Sequence, residues 1–102
     1  MTVELIERLT HRGLTVAIAE SLTGGLLCAA LTEVPGASAV IRGGVVAYAT
    51  DLKASMLDVP NELLDAVGAV DAHVALEMAA GVASKLGADI GISTTGVAGP
   101  EP

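Results

Sequence analysis

Apolar residues recur along this chain in two rhythms, and the alternation between them predicts its elements. Leu5, Ile6 and Leu9 stand at helical spacing, with Thr2 as a cap and Gly13 as a stop. Residues 15–19 are short, apolar and bounded by glycine and polar residues, the mark of a buried strand. A helix over 23–32 follows, its apolar part opening at Leu26, and it ends ahead of the turn signal Pro35-Gly36. Residues 40–49 are rich in β-branched side chains and read as a strand. Gly43-Gly44 interrupts it, which marks a bulge or a place where another backbone or a ligand comes close.

Residues 50–57 predict a short helix capped by Thr50 or Asp51, and Pro60 suits the first turn of another that runs to Val67. Asp71 caps the longest helix, on which Val74, Met78, Val82 and Leu86 form an apolar stripe at spacings of four, and Gly87 ends it. Residues 90–94 are a last buried-type strand, followed by a glycine-rich loop over 96–100. Helices and strands alternating in this order predict a single domain over 1–102 of α/β class, three-layer α/β/α, with a mostly parallel or mixed sheet. In such sheets ligands sit at the carboxyl ends of the strands. A last strand followed only by a loop leads us to expect a sheet incomplete at the C-terminus with an exposed edge, which a continuation or a second copy would complete.

Composition narrows the class of partner. Of 102 residues 52% are hydrophobic, yet no apolar run approaches bilayer length, so the hydrophobicity reads as core and no membrane is expected. One tyrosine, with neither tryptophan nor phenylalanine, leaves packing to Val, Leu, Ile, Ala and Met. A formal net charge of −7 argues against nucleic acid, whose phosphates need clustered Lys and Arg, but leaves room for a small anionic ligand. The lone Cys28 has no disulfide partner and reads as a small core residue. No His or Cys spacing suits zinc, so no metal and no cofactor are expected. The first residues lack the basic start and apolar stretch of a signal peptide, and cytoplasm is the expected compartment.

Candidate chemistry gathers in the run Ala19-Glu20-Ser21-Leu22-Thr23-Gly24-Gly25, which joins a strand to a helix. Such a junction brings hydroxyls and free backbone N–H groups together and can hold an anion or a developing oxyanion. Ser21 is the candidate nucleophile, and a serine needs a base. His11 and His73 read as ordinary surface residues near helix ends, and Lys85 as a solvated cation offsetting a helix dipole. Lys53 has two readings: a surface lysine, or a desolvated base facing Ser21 with a pKa below the ordinary ~10.4. Tyr48 is either a packed aromatic with its hydroxyl at a rim or a proton relay. Glu20 orients a substrate amide, pairs with Lys53, or is simply solvated, and Gly24-Gly25 is either turn chemistry or a donor pair. The 96–100 loop matches neither a Walker A sequence nor a dinucleotide fingerprint.

Five blocks occur in one order: Ala19-Glu-Ser-Leu-Thr-Gly-Gly-Leu-Leu, Pro35-Gly-Ala-Ser, Gly43-Gly-Val-Val-Ala-Tyr-Ala-Thr-Asp-Leu-Lys53, Gly68-Ala-Val and Ser93-Thr-Thr-Gly-Val-Ala-Gly-Pro100. Together they resemble the C-terminal domain of the CinA (competence/damage-inducible protein) family, also found as a stand-alone nicotinamide-nucleotide amidase. The resemblance implies conversion of nicotinamide mononucleotide to nicotinic acid mononucleotide and ammonia. It implies Ser21, Lys53 and Tyr48 as catalytic residues, with Glu20, Thr23, Gly24, Gly25, Gly43, Gly44, Thr95, Gly96 and Gly99 binding substrate. Leu22 stands where the family commonly has cysteine. The family domain continues past the Ala-Gly-Pro loop, so the chain is expected to hold its N-terminal portion, with a possible homo-oligomer as the assembly. The competing expectation is a non-catalytic nucleotide-binding or assembly module of the same fold; a DNA-binding role fits the acidic balance poorly.

Overall fold

Every residue of Val16–Glu20 (β1) is buried, so this strand takes the centre of the sheet. The computed structural model describes residues 2–96. Ile41–Val46 (β2) and Ile90–Ser93 (β3) flank β1, both parallel to it, in the order β2-β1-β3. Val16 pairs with Ile41 while Ala17 pairs with Gly43, so the register slips by one residue at Arg42. That is the bulge anticipated at the glycine pair. The close approach at Gly44 also has its cause: a Cβ there would lie 2.6 Å from the Cys28 sulfur and 3.1 Å from the Ile18 carbonyl oxygen. A protein side chain, not a ligand, fills that space.

Alternate side chains of β1 enter two separate cores. Val16 and Ile18 pack with Ile6 and Leu9 of Thr2–Arg12 (α1), Leu31 of Leu26–Thr32 (α2), and Val34, Ala37 and Val40. Ala17 and Ala19 face the other way, toward Leu57 of Thr50–Leu57 (α3), Leu64 of Asn61–Val67 (α4), and Val74, Met78 and Val82 of Ala72–Leu86 (α5). Helices thus cover both faces of a parallel sheet, the three-layer α/β/α arrangement expected of the alternating elements. Each fully buried Val, Leu or Ile contributes about 1.5–3 kcal/mol, so these two clusters dominate the stabilisation of the layers.

Small residues set the spacing of the α5 layer. A Cβ at Gly81 would stand 1.9 Å from the Leu57 carbonyl oxygen, and one at Gly91 would stand 1.9 Å from that of Ala79. Only glycine lets α5 lie this close to both α3 and β3. Asp71 caps α5, its carboxylate accepting from the His73 amide at 2.7 Å, and Gly87 at φ 65° ends the helix. At the amino ends of β1 and β3, Asp89 accepts from the Thr15 amide and hydroxyl at 2.9 and 3.0 Å.

Three boundaries differ from expectation. α2 begins at Leu26, not residue 23, because Gly24 and Gly25 adopt φ of 61° and 109° and make a turn of the preceding segment. α3 has Ala49 at its N-cap with no side-chain cap, so neither Thr50 nor Asp51 serves there. Pro60 stands at the N-cap of α4, just ahead of its first turn. Among the described residues no helix is long and apolar enough to cross a membrane.

Candidate active site

The carboxyl ends of the strands converge on the turn that follows β1. Thr94 continues β3 by donating its amide to the Ala19 carbonyl at 2.9 Å, and Ala47 continues β2 by donating to the Glu20 carbonyl at 2.8 Å. Ser21 therefore leaves the central strand between two neighbours. The turn closes when the Gly24 amide donates to the Ser21 carbonyl and the Leu26 amide to that of Thr23, each at 3.0 Å.

Lys53, on the first turns of α3, is 1% exposed. Its Nζ lies 2.9 Å from Ser21 Oγ, 2.8 Å from the Ala47 carbonyl oxygen and 3.5 Å from that of Tyr48. No carboxylate accompanies it among the described residues, and burial alone lowers its pKa below the ordinary lysine value. A neutral amine has two N–H donors and one lone pair. In the charged form Nζ donates to Ser21 Oγ and to the carbonyls of Ala47 and Tyr48; in the neutral form the two carbonyls can take both donors and the lone pair faces Ser21 Oγ. The buried reading of Lys53 holds, and the surface reading fails.

Glu20 solves the opposite problem. It too is 1% exposed, but its carboxylate accepts from the Thr23 hydroxyl and from the amides of Gly25, Leu27 and Cys28. Burial works against its charge, but hydrogen bonds from Thr23, Cys28, Leu27 and Gly25 outweigh it and hold the carboxyl below the usual glutamate range. Glu20 is neither solvated nor paired with Lys53; it is the anion at the start of α2. The donors of Gly24 and Gly25 are thereby occupied, by the Ser21 carbonyl and by Glu20 respectively. Among the described residues the amides of this turn left without a protein partner are those of Ser21, Leu22 and Thr23.

A cleft of about 340 Å³ opens over Ser21 and Lys53, walled by Leu22, Tyr48, Thr50, Ala69, Val70 and Gly96. Tyr48 is 64% exposed at its rim. Its carbonyl, not its hydroxyl, approaches Lys53. Gly96 is pressed against the Leu22 side chain, whose Cδ2 would stand 2.9 Å from a Cβ there. Thr95 donates its hydroxyl to the Ala69 carbonyl at 2.8 Å, which ties the end of β3 to the segment before α5. Gly43 and Gly44 lie within β2, Gly44 beneath Cys28, and are not brought to the cleft. Gly99 lies outside the described residues. Thr50, Ala69 and Val70 were not among the expected site residues, although Thr50 was a candidate helix cap and all three lie in the blocks that carry the family resemblance.

Relatives are numerous. The model of the CinA C-terminal domain family matches residues 1–102. A CinA-like protein of Frankia casuarinae is 61% identical over 94 residues, covering 92% of this chain and 22% of that protein. A putative competence-damage inducible protein of Geobacillus kaustophilus is 54% identical over 97 residues, covering 95% and 23%. Among solved structures, the competence/damage inducible protein CihA from Agrobacterium tumefaciens superposes with a TM-score of 0.88 at 43% identity, covering 99% of this chain and 64% of that one. The CinA superfamily protein ECK1530/EC0983 from Escherichia coli reaches 0.95 at 36% identity, covering 98% and 58%. The chain thus spans about a quarter of the curated relatives' length and about three fifths of the solved chains.

Proposed function

The chain belongs to the CinA C-terminal domain family, and from that premise we propose that it carries the Ser-Lys pair of an amidohydrolase acting on nicotinamide mononucleotide. The observation behind this reading is the 2.9 Å contact between Ser21 Oγ and the buried Nζ of Lys53. Neutral Lys53 takes the Ser21 proton as Oγ bonds to the carboxamide carbon. The resulting ammonium returns the proton to the leaving nitrogen, the C–N bond breaks, and ammonia departs. Water then attacks the acyl-enzyme, with Lys53 again as base, and releases nicotinic acid mononucleotide and Ser21.

The cleft has apolar walls against which the face of a planar pyridinium ring could lie, with its carboxamide toward Ser21. Its volume, about 340 Å³, is within the range of small-molecule sites, and Leu22, Ala69 and Val70 supply apolar walls. Ammonia release from nicotinamide mononucleotide tests the reading. Ser21→Ala and Lys53→Ala are each expected to lose at least ~100-fold in kcat, the scale of a missing nucleophile or general base. Retained turnover in either folded variant sinks the pair. Binding of the nucleotide without ammonia release by the unaltered chain would instead favour a non-catalytic nucleotide-binding module.

A further inference from the structure

We propose that Glu20 is a positioning residue, whose carboxylate occupies the donors at the start of α2 so that the amides of Leu22 and Thr23 are the pair that receives the oxyanion. The proposal rests on the reading of Ser21 as nucleophile. Four hydrogen bonds converge on this one buried carboxylate, from Thr23 Oγ1 and the amides of Gly25, Leu27 and Cys28 at 3.1, 3.0 and 2.8 Å. A carboxylate only accepts, so Thr23 must spend its proton on Glu20. Thr94 Oγ1, 2.8 Å from Thr23 Oγ1, then donates to Thr23. The chain Thr94–Thr23–Glu20 ties the end of β3, through the turn, to α2.

The effect on the site is selective. A substrate oxyanion placed at the α2 start would meet a fixed negative charge and donors already engaged, which excludes that end of the helix as the oxyanion site. The Gly24 amide is engaged by the Ser21 carbonyl. The amide directly after a nucleophile is a recurrent oxyanion donor, and here that is the Leu22 amide, open together with its neighbours at Ser21 and Thr23. Donors held rigidly before charge develops are worth far more than donors that must reorient, so holding this turn is a contribution to rate and not to ground-state affinity.

Two ligands that share a 3-substituted pyridine ring separate positioning from mere stability. Pyridine-3-boronic acid is trigonal when free. On binding, Ser21 Oγ bonds to boron, the hydroxyl proton passes to Lys53, and the tetrahedral boronate carries the negative charge. Nicotinic acid mononucleotide, the planar product, makes no such demand. Both are measured by calorimetry on the unaltered chain, Glu20→Gln, Thr23→Ser and Thr23→Val. In Glu20→Gln the amide nitrogen can no longer accept from a backbone donor, and the turn must shift.

Boronate affinity is expected to fall by on the order of 100-fold in Glu20→Gln and in Thr23→Val, the scale of one lost oxyanion donor. Product affinity stays within threefold, and Thr23→Ser, which keeps the hydroxyl, behaves as the unaltered chain. Should Glu20→Gln fail to fold, the two Thr23 variants carry the test. Equal loss of both ligands, or unchanged boronate affinity in Glu20→Gln and Thr23→Val, overturns the proposal. Absence of any Ser21-dependent boronate adduct in the unaltered chain overturns the nucleophile reading and this proposal with it.

Discussion

Replacing Lys53 by methionine isolates the proton chemistry of the buried amine from the activity it is proposed to support. Methionine keeps the unbranched stem and removes the titrating group. Lys53 is 1% exposed and has no counter-charge among the described residues, and burial lowers its pKa. In the unfolded chain the same lysine titrates near ~10.4. Between its depressed folded value and ~10.4 the unfolded state therefore binds more protons than the folded state, and stability rises with pH wherever that holds. The cost of burying the amine is full below the folded pKa and is relieved as pH rises toward the unfolded one. The limiting slope is about 1.36 kcal/mol per pH unit. With an m-value of ~1–3 kcal/mol/M in urea, one pH unit inside the window moves the midpoint by roughly 0.5–1.4 M.

The assay is urea denaturation of the unaltered chain and Lys53→Met at half-unit steps from pH 7 to 10.5. Cys28, whose thiol is pushed up by burial and then by the charge of Glu20, titrates in both proteins and cancels in the difference. The stability of the unaltered chain minus that of Lys53→Met should climb with pH. If turnover is base-dependent, kcat/KM should rise through the same folded-state pKa. A difference that is flat or falls over this range refutes the desolvated amine, and with it the general base.

Three further outcomes follow from the packing and the second buried charge. Gly44→Ala, with its Cβ directed to within 2.6 Å of Cys28 Sγ, should cost about 1–3 kcal/mol by chemical denaturation. Adding Cys28→Ala should recover at least about 1 kcal/mol in a double-mutant cycle, and additivity would mean the two do not meet. Gly91→Ala meets a backbone oxygen that cannot rotate away, 1.9 Å from the new Cβ, so a loss of about 3 kcal/mol or more is expected, seen as a melting temperature lower by roughly 12 °C. For Glu20, held below its ordinary pKa, the stabilisation is present above the unfolded value of ~4.3 and is lost as pH falls through the folded one. The stability gap between the unaltered chain and Glu20→Gln should therefore narrow in acid, and a gap that widens there contradicts the assignment.

The layer order was legible because period and punctuation agreed. Val74, Met78 and Val82 stand at spacings of four and are all buried on one face of α5, between Asp71 and Gly87 at its ends. The all-apolar run of β1 announced a strand covered on both faces. Glycines were harder to read, since one residue type serves several ends. Gly24 and Gly25 make a left-handed turn and delay α2, while Gly44, Gly81 and Gly91 are glycine for lack of room. Spacing along a chain carries no signal for an atom approaching from another element, so the Cys28 sulfur over Gly44 was out of reach of the sequence.

Within the site Ser21 and Lys53 were visible as residue types, but the partition of the two buried charged side chains was not. Glu20 and Lys53 are both 1% exposed and belong to one turn and its neighbour, so an ion pair was a natural reading. The fold instead sends the carboxylate to four donors around α2 and the amine to Ser21 and two carbonyls. The difference matters for chemistry. A carboxylate beside Nζ would favour the ammonium and hold the pKa up, leaving no lone pair for the Ser21 proton. Satisfying Glu20 with backbone donors removes that counter-charge from the amine, and burial alone then works on Lys53. The strand-to-helix turn thus keeps its one fixed anion on the α2 side, apart from the buried amine that meets Ser21.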